Sequence, residues 1–111
     1  MDLSIVSEAR DQARVVRIGG DLDVYTAPQL KATLEECGLG KQTLVLDLSK
    51  VHFIDSTALA SLVSAQQRSR AADQEFFLVM EDPYLLKVFR ITGFESLFSI
   101  FPGVDDALEA I

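Results

Sequence analysis

Residues 44–59 read LVLDLSKVHFIDSTAL. Apolar side chains fill Leu44, Val45, Leu46 and Leu48 and return at Val51, Phe53 and Ile54. They stop at Asp55-Ser56-Thr57, and helical spacing begins at Leu59. A nearly continuous apolar run of strand length predicts a strand buried on both faces, as parallel sheets require. Hydroxyls that end such a strand and open a helix lie at a surface where backbone N–H groups point outward. Such a place suits an anion or a modifiable serine, with Ser56 as the helix cap.

Upstream, Leu3–Ser7 and Arg14–Ile18 read as two strands joined by the polar stretch Glu8–Gln12, short enough to force antiparallel pairing. Gly19-Gly20 ends the second strand. Thr26-Ala27-Pro28-Gln29 predicts a helix start with Thr26 as N-cap, Gln29 completing a capping box and Pro28 in the first turn. Leu30 and Leu34 share a face, and Gly38 and Gly40 end the helix before a strand over Thr43–Leu48.

Downstream, Leu59, Leu62 and Val63 form the inward stripe of a helix starting at about Ser56. Phe76–Met80 has strand length, and Glu81-Asp82-Pro83 opens a third helix with acids at the favourable end of its dipole. Leu85, Leu86, Val88, Phe89 and Ile91 supply its apolar faces, and Gly93 ends it. Leu97–Phe101 fits a last strand, and Asp105–Ile111 a short helix with Ala107, Leu108 and Ile111 inward. This alternation predicts an α/β fold: a mostly parallel mixed sheet of about five strands with about four helices, the first strand antiparallel at or near an edge. No linker divides residues 1–111, so a single domain is expected. The loops Gly19–Tyr25 and Asp55–Thr57 should meet at the carboxyl ends of the strands.

Composition narrows the function. The chain has 111 residues, 49% of them apolar, and a formal charge of −7, so an ordered acidic globule is expected. That charge disfavours nucleic acid, which needs clustered Lys and Arg, and favours a protein partner with a basic surface. No apolar run approaches the ~18 residues of a membrane helix. The segment MDLSIVSEAR lacks the apolar core of a secretory signal, so a cytoplasmic setting without membrane partners is expected. Cys37, the single cysteine, reads as a small apolar helix residue.

Several chemistries lack their residues. Gly38-Leu39-Gly40-Lys41 has neither the spacing nor the final Ser/Thr of a phosphate-binding loop, and no GxGxxG follows a strand. One histidine and one cysteine give no metal cluster. No GxSxG surrounds Ser56, and His52 reads as an edge or surface residue, so hydrolase catalysis is disfavoured. An aspartyl phosphorelay receiver shares the size and fold class. Here, however, Asp47 is enclosed by Leu46 and Leu48, and no lysine follows Lys87.

GGDLDVYTAPQL (residues 19–30) together with LDLSKVHFIDSTAL (46–59) resembles the STAS family, the anti-sigma-factor antagonists of bacteria. There a strand leads into a GxLD loop and a TAxxL helix, and a later strand into a DSS or DST turn. LLKVFRITGFESLFSIF (85–101) resembles the family's last helix and strand, so the likeness spans nearly the whole chain. The length suits a freestanding antagonist rather than a transporter tail. The resemblance implies that Ser56 is the serine phosphorylated by a partner kinase, that Thr57 is its neighbouring hydroxyl, and that Asp23 and Asp55 are acids beside the partner surface. Where the family usually has Gly-Leu-Gly, this chain has Ala58-Leu59-Ala60, which favours helix. The implied partner surface is then Asp21, Asp23, Tyr25, Asp55, Ser56, Thr57, Ala58 and Ala60. The implied partners are an anti-sigma factor that is also a serine kinase, and a serine phosphatase that resets the switch. The chain is then substrate rather than enzyme, without cofactor or metal, and a monomer or weak dimer. Two other readings remain at this level: a STAS scaffold or sensor module without a phosphorylation cycle, and nucleotide binding by the 19–25 loop, supported only by Gly-Gly-Asp.

Overall fold

The computed structural model describes residues 3–10, 12–38, 40 and 42–111. Five strands form one sheet: β1 (Ser4–Arg10), β2 (Ala13–Gly19), β3 (Thr43–Lys50), β4 (Phe76–Val79) and β5 (Ser99–Phe101). Their spatial order is their chain order, with β1 antiparallel to β2 and every later pair parallel. Helices α1 (Ala27–Cys37), α2 (Ser56–Ala71) and α3 (Pro83–Ile91) make the crossovers, and α4 (Val104–Glu109) follows β5. Right-handed crossovers that always step the same way place their helices on one face.

Alternation along β3 shows both faces. Leu44, Leu46 and Leu48 join Val16, Ile18 and Leu78 beneath α1, α2 and α3, meeting Leu30, Leu62 and Phe89 in the main core. Val45 points the other way, with Val15, Phe77 and Val79, beneath Ala107 of α4. The continuous apolar run of β3 is thus the signature of two covers. Asp47, on the α4 face but half-buried, instead faces Arg17 of β2 at 3.7 Å.

Several boundaries differ from expectation. β1 continues through Glu8, Ala9 and Arg10, which read as turn, because they pair with Val15, Arg14 and Ala13. An edge strand tolerates such charges, and Glu8 accepts from Arg10 Nε at 2.7 Å and Arg17 Nη1 at 3.4 Å. The rest of that expected turn includes Asp11, which lies outside the described residues, as do Leu39 and Lys41. The last strand is shorter, since Phe94–Ser96 forms a 3-10 turn and Phe98 is drawn inward edge-on to Phe76 and Phe89. Ile111 is 47% exposed rather than inward, and Ile91, read as part of the apolar faces of the third helix, is 72% exposed. Ile91 lies about 240° around the helix from Leu85, at ~100° per residue, and Ile111 follows the end of α4.

The expected capping box on α1 is not formed. Thr26 holds the N-cap position but is already in helical conformation and makes no cap bond. Its hydroxyl donates to the Asp21 carbonyl at 2.7 Å and accepts from the Asp23 amide at 3.0 Å. Gln29 reaches away to accept from the Leu3 amide at 2.9 Å.

Candidate functional site

Parallel strands bring the ends of β2, β3 and β4 to one edge of the molecule. β2 leaves the sheet through Gly20, whose φ of 117° disfavours any side chain. The chain then runs beside the segment after β3: Leu22 bridges Ile54, its amide donating to the Phe53 carbonyl at 3.0 Å and its carbonyl accepting from the Asp55 amide at 2.9 Å. Leu22 and Ile54 are both buried, so this clasp is anchored from below. The two expected loops do meet.

Each loop is stiffened by its own acid. Asp23 Oδ1 accepts from the amides of Tyr25 at 2.9 Å and Thr26 at 3.0 Å. This is an Asx-type turn that leaves Asp21, Val24 and Tyr25 exposed. Asp55 caps α2, its Oδ1 accepting from the Ala58 amide at 3.0 Å. The cap is therefore Asp55 and not Ser56, which occupies the first helical position. Asp and Ser are comparable caps, and the extended backbone at Asp55, φ −104° and ψ 177°, decides between them.

Ser56 and Thr57 are both exposed, and no hydrogen bond among the described residues engages the Ser56 hydroxyl. Ala60 is also exposed. Ala58 departs from the expected partner surface: at 0% exposure it lies in the core with Leu59, Leu62 and Ala65, one helical stripe. On this helix, positions 56, 57 and 60 lie at the surface, with 58 beneath them.

A third loop, which the sequence reading left out, completes this edge. Asp82 caps α3, its Oδ1 accepting from the amides of Tyr84 at 2.8 Å and Leu85 at 3.3 Å. Its Oδ2 lies 2.7 Å from Nδ1 of His52. That bond to His52, reinforced by the two amides, holds the Asp82 carboxyl below its ordinary value. Above the pair, the ring of Phe53 stacks on Tyr84 with centroids 6.3 Å apart and planes within 10°. The sequence carried no signal for this loop: Phe53 reads as apolar alongside Val51 and Ile54, yet His52 and Phe53 are exposed between those two buried residues. His52 pairs with Asp82 and shares no hydrogen bond with Ser56, so the two do not form a nucleophile–base pair.

Elsewhere, half-burial in α1 pushes the Cys37 thiol up, which suits a packing residue. Among the described residues, no three His, Cys, Asp or Glu side chains group to hold a metal, and no helix is long and apolar enough to cross a membrane. A cavity of about 560 Å³ lies at the other end of the sheet, lined by Ala9, Arg10, Gln12, Ala13, Leu108 and Ile111, away from the hydroxyls.

Fold and site define a class: a small α/β module with an exposed face built from loops at the carboxyl ends of consecutive parallel strands. The STAS domain family model matches residues 4–107, and the chain belongs to that family. It is 34% identical over 103 residues to an anti-sigma-B factor antagonist of Listeria monocytogenes, covering 90% of each chain. It is 29% identical over 106 residues to the protein of that name in Staphylococcus aureus, covering 95% of this chain and 98% of that one. An anti-sigma factor antagonist of Mycobacterium paratuberculosis has a solved structure of TM-score 0.90 and 29% identity, covering 98% of this chain and 93% of that one.

Proposed function

We propose that this chain is an anti-sigma factor antagonist controlled by phosphorylation of Ser56. Unmodified, it binds an anti-sigma factor through the 19–25 loop and the exposed start of α2, and so frees a sigma factor for transcription. The anti-sigma factor is also an ATP-dependent serine kinase that phosphorylates Ser56 and thereby releases the antagonist. A serine phosphatase resets the cycle, which runs in the cytoplasm. The chain is the substrate of both enzymes. The names of its relatives support the antagonist role.

One observation carries the switch: Ser56 is exposed at the first position of α2, directly after an N-cap clasped to the 19–25 loop. A kinase can reach the hydroxyl, yet the backbone beneath it is fixed. Phosphorylation adds about −1.5 to −2 charges to a surface already carrying Asp21, Asp23 and Asp55. The helix dipole favours that charge, whereas the neighbouring Asp55 carboxylate already holds the Ala58 amide and opposes it. The two effects offset, so the fold should change little. A docked partner meets instead an unpaired charge at the contact, and about 3 kcal/mol of such penalty is already more than a hundredfold in affinity.

The test is a binding titration with the purified kinase. Ser56→Asp should keep the wild-type circular dichroism spectrum and lose binding, whereas Ser56→Ala should bind and resist release by ATP. Wild-type affinity in a folded Ser56→Asp protein would refute the switch.

A further inference from the structure

Among the described residues, seven large apolar side chains are exposed, and four of them lie at this one edge: Val24, Tyr25 and Phe53 in the loops after β2 and β3, and Tyr84 in the first turn of α3. Tyr25 is 85% exposed. Tyr84 lies in the first turn of α3, outside the two segments that frame Ser56. The arrangement is rigid. Asp82 holds the start of α3 through one oxygen and His52 through the other, so the neighbours of both stacked rings are tied to one carboxylate. Rigid aromatic groups in the open lose little conformational entropy on binding and are the usual anchors of an interface. The charge pattern is strongly acidic. Residues 19–26, 51–57 and 80–84 contain Asp21, Asp23, Asp55, Glu81 and Asp82 and no Lys or Arg, with exposed Lys50 at the margin beside Gly19.

We propose that the anti-sigma factor docks across a shelf formed by Phe53 and Tyr84 as well as on the Ser56 face, and that its matching surface is an apolar cleft rimmed by Lys and Arg. This rests on the antagonist reading above, and extends the contact to a third loop. The rings anchor the complex. The acids around them select a basic rim, and position 56 lies where added negative charge breaks the match. Burying the rings desolvates the neighbouring carboxylates too, so an acidic or neutral partner face would leave them unpaired.

The experiment is isothermal titration of the purified wild-type chain and its variants against each anti-sigma kinase encoded by the host. Phe53→Ser and Tyr84→Ser should each weaken binding at least about tenfold, as anchors do. Ile91→Ser, an exposed apolar residue at the far end of α3, should bind as wild type. Phe53→Lys should bind more weakly than Phe53→Gln, because lysine meets the basic rim. Both are conservative of folding at a 41% exposed position, and circular dichroism checks each. If the shelf variants bind within twofold of wild type while Ser56→Asp is released, the shelf is wrong and the switch stands. Equal loss in Ile91→Ser, or equal affinity of Phe53→Lys and Phe53→Gln, also overturns it. Absence of any binding by the wild-type chain refutes the antagonist reading and the shelf with it.

Discussion

Asp55 does two things from one position, one with its backbone and one with its side chain. Its amide closes the clasp with Leu22, and its carboxylate caps α2, so the serine that follows is fixed from both sides. Asp55→Ala should cost about 1 kcal/mol, read as a fall in Tm of about 4 °C for a domain of this size. Asp55→Asn, which keeps the cap, should recover most of it. Three positions further on, Ala58 separates what the sequence can show from what it cannot. The residue types at 55–57 named the place, but not that the cap would fall on the acid or that Ala58 would turn inward. Ala58→Leu should destabilise by about 1–3 kcal/mol through overpacking, whereas Ala60→Leu on the exposed face should leave thermal stability nearly unchanged. A calorimetric comparison of the two variants checks the assignment of faces.

At the level of elements, the ends of helices were harder to read than their faces. The inward stripe Leu59–Leu62 was legible from spacing, and so was the start of α3 at Asp82-Pro83. The capping box on α1 was not, because Gln29 has a tertiary partner in the Leu3 amide that local sequence cannot reveal. The His52–Asp82 pair is likewise a contact between elements thirty residues apart. It has a pH signature. The Asp82 carboxyl is held below its ordinary value on folding by His52 and by the amides of Tyr84 and Leu85. A carboxyl depressed in the folded state adds stability that is present above its unfolded pKa, near 4, and is lost as pH falls through the lower folded value. Denaturant midpoints measured downward from pH 5 should therefore fall, and His52→Ala should show a smaller acid-side fall than wild type. Identical acid limbs would show that the pair adds nothing.

For the whole molecule, strand order equal to chain order explains why β3 is apolar on both faces and why one helix suffices on the second face. Three crossover helices fill the main core around Phe89, which is fully buried. Phe89→Ala should cost about 3–5 kcal/mol, a large part of a typical ~5–15 kcal/mol total, and chemical denaturation measures it. Sheet order was not legible beforehand, since alternation fixes strand direction but not neighbours. At the other margin, the charges of Glu8, Arg10 and Arg17 along β1 and β2 disfavour edge-to-edge pairing. Sedimentation should accordingly give a monomer or weak dimer.

The central claim is that a phosphoryl group on one exposed oxygen ejects a docked partner from an otherwise unchanged protein. Its most direct test is to add ATP to the complex of this chain with its kinase, collect the released chain and map its phosphate by tandem mass spectrometry. The expected result is one phosphate, on Ser56. Release without phosphate, or phosphate confined to any other residue, would contradict the account.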